Sequence, residues 1–254
     1  MGFEFIKTEL KEGIGTITLN RPPLNILNIA MMEEINKALE EFADQKIKLL
    51  VFKAEGKAFS AGVDVGEHMG DLAPKMIEVF HGMFRNMDKV GAPSIAVVNG
   101  AALGGGCELV VYCDLVIASD KAKIGQPEIN VGVFPPIAAL IFPRIIGRKK
   151  AAELILSGDV ISAEEAKEIG LVNVVVPHDK LEEEAEKFIQ KFAKNSGIVM
   201  RYTKMAMLAG LKEAQDAALK EIEDIYLNKL MKTQDATEGL QAFLDKRKPE
   251  WKEC

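Results

Sequence analysis

Asn99-Gly100-Ala101-Ala102-Leu103-Gly104-Gly105-Gly106-Cys107-Glu108-Leu109 comes directly after the apolar run Ser94-Ile95-Ala96-Val97-Val98, which Pro93 opens. Five apolar-rich residues bounded by turn formers predict a buried strand over 94–98, broken at Asn99-Gly100. The three glycines free the backbone for close approach, and a helix is expected from near Cys107. The same alternation extends outward. Residues 14–19 are β-rich, follow a Glu-Gly turn signal and end at Asn20-Arg21-Pro22-Pro23. Residues 29–43 place Ile35, Ala38, Leu39 and Phe42 at helical spacing, with Glu33, Glu34, Lys37, Glu40 and Glu41 opposite. Strands are expected at 49–52 and 115–118 and a helix at 75–89. Strand and helix in alternation predict an α/β fold with a largely parallel sheet and right-handed crossovers.

After about residue 148 the character changes. Helices are expected over 149–156, 162–169, 178–194, 197–211 and 214–231, with one strand at 171–176. The charged run from Asp179 to Lys191 reads as a solvated helix face. The methionines Met31, Met32, Met200, Met205 and Met207 read as core filler.

The 254 residues suffice for one sizeable domain, and 48% apolar with 28% charged residues is a globular balance. A net charge of −6 argues against a nucleic-acid binder and gives an anionic ligand no long-range attraction. Cys107, Cys113 and Cys254 show neither metal-ligand nor disulfide spacing, so a reducing compartment is expected. The N-terminus lacks the pattern of a signal peptide, and no apolar run is long enough for a membrane span. A cytoplasmic location is the expectation.

Three segments carry candidate chemistry. A glycine turn into a helix offers unpaired N–H groups at the positive end of a helix dipole, which suits an oxyanion, and Glu108 follows as an acid or base. By itself the segment also fits tight strand–helix packing with a helix-terminal charge. Phe59-Ser60-Ala61-Gly62-Val63-Asp64 lets a backbone N–H face a ligand, or is an ordinary loop. In Gly125-Gln126-Pro127-Glu128 a proline stiffens the chain before a carboxylate set among apolar residues, whose pKa burial would raise. A capping or pairing glutamate is the other reading. The cysteines and the histidines His68, His81 and His178 are read as non-catalytic, and Asp114 as a partner for backbone donors.

Taken together and in this order, these segments resemble the crotonase (enoyl-CoA hydratase/isomerase) family over about residues 3–250. Asn20-Arg21-Pro22 with Asn25 resembles its first CoA-contacting loop. Ser157-Gly158, Ser162-Ala163-Glu164-Glu165-Ala166 and Gly170-Leu171-Val172 resemble its C-terminal region. The resemblance implies a spiral of repeated ββα units over 1–195 and a helical trimerisation region over 196–254, with homotrimers that often pair into hexamers. It implies an oxyanion hole from the N–H groups of Val63 and Gly105. It implies contacts to the CoA ester from Asn25, Ala61, Asp64, Gly104, Phe134 and Pro136. It implies no metal and no separate cofactor, since CoA is part of the substrate. Hydratases of the family keep two glutamates twenty positions apart, as Glu108 and Glu128 are, with a water between them. Glu108 is read as the base and Glu128 as the proton donor.

One segment departs from the family pattern. Gly132-Val133-Phe134-Pro135-Pro136-Ile137-Ala138-Ala139 stands where a glycine-rich stretch is usual, and Pro136 has no N–H to offer a water. This rigid wall, with Arg21-Pro22-Pro23-Leu24-Asn25-Ile26-Leu27, resembles the cyclohexa-1,5-diene-1-carbonyl-CoA hydratases of anaerobic aromatic degradation. The alternatives are an enoyl-CoA isomerase, which needs one carboxylate, and a non-catalytic acyl-CoA-binding protein.

Overall fold

A computed structural model describes residues 2–208 and 212–251. Strands β1 (Ile6–Lys11) and β2 (Ile14–Leu19) form a hairpin. Its turn is Glu12-Gly13, both with positive φ, the conformation that matches strand twist. Helix α1 (Ile29–Asp44) is capped by Asn28, whose side chain accepts from Met31 N. Next come β3 (Leu49–Ala54), β4 (Ala58–Ser60) and α2 (Leu72–Val90), then β5 (Ser94–Val98), β6 (Ala101–Leu103) and α3 (Gly105–Tyr112). After them run β7 (Leu115–Ser119), β8 (Lys123–Gly125), α4 (Pro136–Ile145) and α5 (Gly147–Ser157). The chain continues with β9 (Val160–Ser162), α6 (Ala163–Glu168), β10 (Val174–Val176) and α7 (Leu181–Ala193). Helices α8 (Gly197–Leu208), α9 (Lys212–Asp224) and α10 (Gln234–Leu244) complete it.

The strands divide between two sheets, in the orders β1-β2-β3-β5-β7-β10 and β4-β6-β8-β9. The units β3-β4-α2, β5-β6-α3 and β7-β8-α4 each give one strand to each sheet and then a helix, so the chain winds as a spiral of ββα turns. Pairing in the large sheet is parallel except at β1. Period-two alternation splits each central strand between two apolar layers. Leu49, Val51, Ile95, Val97 and Ile117 face Leu181, Ala185, Ile189 and Ala193 of α7. Leu50, Phe52, Ala96 and Val98 face the main core with α1 and α2.

Several expectations change. β1 has only Ile6 buried, so it carries no apolar alternation and exists because β2 offers it a ladder. The strand expected at 171–176 begins at Val174, because the N–H groups of Leu171 and Val172 still bond Ala166 O at the end of α6. β9 and α10 were not foreseen, nor was α4, which starts at Pro136, where a proline loses no helical hydrogen bond. The helix expected over 214–231 gives way to a π-helical turn at Ile225–Lys229 and a 3-10 turn at Leu230–Lys232. The end of the helix expected over 197–211 lies outside the described residues, as does Cys254. Met31 and Met32 are core residues, but Met205 and Met207 are exposed on α8 and fill no core. Asp114 Oδ2 accepts from Ser94 N at 2.7 Å and from Lys204 Nζ at 2.6 Å. No helix among the described residues is long and apolar enough to cross a membrane.

Candidate active site

The β6–α3 turn requires its glycines. Gly104 has φ 52° and ψ −131°, which an L side chain avoids. A Cβ on Gly106 would lie 2.5 Å from Ser60 O, so this glycine lets the start of α3 press against the 60–63 loop. That loop is tied to the segment before α1: Leu27 N donates to Gly62 O and Asp64 N to Leu27 O, both at 2.9 Å. Between those two bonds the Val63 N–H has no partner among the described residues. Gly105, at the first position of α3, has no helical acceptor either. Both residues line one cavity of about 310 Å³.

Glu108, on the first turn of α3, reaches the same cavity and is 2% exposed. Its Oε1 accepts from Ile137 N at 2.6 Å and Ala138 N at 2.9 Å, so the carboxylate sits on the N-terminus of α4. Burial raises its pKa to about 7, and the two N–H bonds oppose the rise. Pro136 donates nothing, and the next two N–H groups serve Glu108 rather than a water.

Glu128 stands on the 3-10 turn Pro127–Val131, on the cavity wall. Gln126 is fully buried beside it. With its carboxamide nitrogen turned toward its acceptors, Gln126 donates to both Glu128 oxygens at 3.1 Å and to Gly104 O at 3.3 Å. Burial, and then the nearby Glu108 charge, push the Glu128 carboxyl well above the ordinary range. The two groups titrate as a unit, and the proton they share resides on Glu128, because only Glu108 has the helix terminus to hold its charge.

Ala61, Val63, Gly104, Gly105, Glu108, Glu128, Phe134 and Pro136 all line this cavity. Asn25 and Asp64 do not. Asn25 is fully buried; its Nδ2 donates to Glu55 O at 2.8 Å and Ala58 O at 2.9 Å, and its Oδ1 accepts from Arg21 N. It clasps two loops and has nothing left for a ligand. Asp64 caps the 3-10 turn Val65–His68 through Gly66 N at 2.9 Å. Three polar residues at the site were given no role there by the sequence. Gln126 sits in the quoted motif without a role. His68 lies on the wall, its Nδ1–H donating to Asp64 O at 2.9 Å. Tyr226 comes from the far end of the chain. Spacing from its neighbours marks neither His68 nor Tyr226.

Residues 9–254 match the family model described as enoyl-CoA hydratase/isomerase. The chain is 40% identical over 256 residues to a probable enoyl-CoA hydratase of Rhizobium meliloti (strain 1021), with 99% of each covered. It is 37% identical to the crotonyl-CoA hydratase of Syntrophomonas wolfei subsp. wolfei, with 98% of each covered. The crystal structure of an enoyl-CoA hydratase from Mycobacterium avium subsp. paratuberculosis K-10 superposes with a TM-score of 0.88 at 29% identity, covering 98% of this chain and 99% of that one. On its ββα spiral, its full-length match and these relatives, the chain belongs to the enoyl-CoA hydratase/isomerase family.

Proposed function

We propose that the protein is a hydro-lyase that adds water across the double bond of an α,β-unsaturated acyl-CoA, or removes it. The observation that carries this reading is a pair of buried carboxyls whose surroundings drive their pKa values apart, facing one cavity with two unused backbone N–H groups. The thioester oxygen is received by Val63 N–H and Gly105 N–H, which stabilise the enolate charge that develops there. One such donor is worth roughly 2.7–4 kcal/mol. Ionised Glu108 takes a proton from a water while the water oxygen bonds C3. Protonated Glu128 delivers its proton to C2, and the pair exchanges the proton back. CoA enters only as part of the substrate.

The narrower reading is a cyclic dienoyl-CoA such as cyclohexa-1,5-diene-1-carbonyl-CoA. It is supported by Phe134 and Pro136 on the cavity wall, with the Phe134 and Tyr226 rings packed edge to face at 5.3 Å. A flat ring fits such walls at lower entropic cost than a flexible chain. Copies of the chain are proposed to associate as trimers through α8, which exposes Ile198, Val199, Tyr202, Met205 and Met207.

The test offers crotonyl-CoA and cyclohexa-1,5-diene-1-carbonyl-CoA in parallel and follows product masses. Water gained by the cyclic diene alone supports the narrow reading; a preference for crotonyl-CoA leaves a short-chain hydratase. Glu108→Gln and Glu128→Gln are each expected to lose 10²-fold to 10⁴-fold in rate. Loss with only one of them, without water uptake, makes the protein an isomerase. Ester binding without turnover makes it a binding protein.

A further inference from the structure

Tyr226 is a residue of the cavity wall to which the hydration chemistry gives no task. Its side chain is 1% exposed, among the largest fully buried groups in the molecule. It sits in the π-helical turn Ile225–Lys229, an expanded turn of the kind that re-aims side chains at functional sites. Two contacts pin it. Its ring packs edge to face on Phe134. One turn earlier, Glu223 accepts from His81 Nδ1–H at 2.7 Å and from Arg85 at 2.5 Å, fastening this helical segment to α2.

The Tyr226 hydroxyl makes no hydrogen bond to any described residue. Nor is it sealed away: the described buried polar atoms that lack both partner and access are His81 Nε2 and Asn99 Oδ1. Tyr226 lines the cavity, which is the open space beside its phenol ring. Burial first, and then the negative charge of the glutamate pair, keeps the phenol protonated, so it offers a donor. The cavity wall also carries the apolar Val131, Val133, Phe134 and Leu240. A hydrocarbon group bound there would leave this hydroxyl unpaired and dry, which is costly; an oxygen on the ligand would pair it.

We propose that Tyr226 is a specificity-determining residue that donates a hydrogen bond to an oxygen on C3 of the bound acyl group, the position where the two glutamates install or remove a hydroxyl. The inference rests on the hydratase reading for the identity of C3. The thioester oxygen is taken by the backbone N–H pair, so the C3 oxygen is the one left for the phenol.

The test measures binding by calorimetry with two esters that cannot be hydrated: acetoacetyl-CoA, which carries an oxygen on C3, and butyryl-CoA, which does not. The native protein is expected to bind acetoacetyl-CoA more tightly. Tyr226→Phe removes only the hydroxyl, and is expected to lower that preference by roughly fivefold to tenfold, with weaker binding of acetoacetyl-CoA, butyryl-CoA bound as tightly as before or more tightly, and no loss of melting temperature. An unchanged preference, or equal weakening of both esters, overturns the proposal. Hydration of crotonyl-CoA by the native protein is followed separately. If the preference depends on Tyr226 but no water is added, the hydratase reading fails and C3-oxygen recognition stands. If water is added but the preference ignores Tyr226, the reverse holds.

Discussion

Glu108 and Glu128 differ in what holds their charge, and that difference sets the pH behaviour. Activity is expected to rise with pH as Glu108 loses its proton near pH 7, and to fall at higher pH as Glu128 loses its own. Stability runs the other way. Both carboxyls are raised above the ordinary 4.5, so the folded chain binds more protons than the unfolded one above that pH. Their stabilising contribution is complete below about 4.5; the part from Glu108 is lost as pH rises through about 7, and the part from Glu128 at higher pH. Glu128→Gln removes the group whose ionisation is most opposed, so at pH 8 calorimetry should show a higher melting temperature alongside the lost activity, at roughly 2–4 °C per kcal/mol. A smaller gain is expected at pH 5. Asn25 supplies a contrasting case. Asn25→Ala strands the carbonyls of Glu55 and Ala58 and the N–H of Arg21, and should cost about 3 kcal/mol. A CoA-contacting side chain would instead raise KM and spare the melting temperature.

Among the elements, the start of α3 is the most constrained. A Cβ on Gly106 would meet Ser60 O at 2.5 Å and Ser60 Cβ at 2.6 Å, the first of which is backbone and cannot yield. Gly106→Ala is expected to push α3 off the 60–63 loop, separating the Val63 and Gly105 N–H groups. Activity should drop by 10²-fold or more, and stability by about 1–3 kcal/mol, in paired kinetic and denaturant measurements. Elements differ in how far local pattern reveals them. β2 and β5 are found at the residues their apolar patterning predicted, and α1 within one residue, because their periodicity reports which face is buried. The three-residue strands β4, β6, β8 and β9 are too short to carry a period and exist through pairing with one another. At α4, a Pro-Pro pair reads as a stiff wall, yet Pro136 opens a helix whose next two N–H groups hold Glu108.

At the scale of the molecule, α8 leaves Ile198, Val199, Tyr202, Met205 and Met207 in solvent, with Met207 74% exposed. Light scattering is expected to give a mass three times the 27.8 kDa chain. Val199→Asp with Met205→Glu should shift it toward the single chain, since charges buried in an apolar interface cost more than they return.

Sequence alone determined the alternation of strands and helices, the family, and the two motifs that carry Glu108 and Glu128. Each of these is written within a few neighbouring residues, where hydrophobic period, glycine freedom and proline stiffness act. Tertiary structure decided the rest: that Asn25 clasps loops, that the start of α4 holds Glu108, and that Tyr226, far along the chain, lines the same cavity as both carboxyls. Those facts depend on which distant segments share one apolar interior, and no local period encodes that.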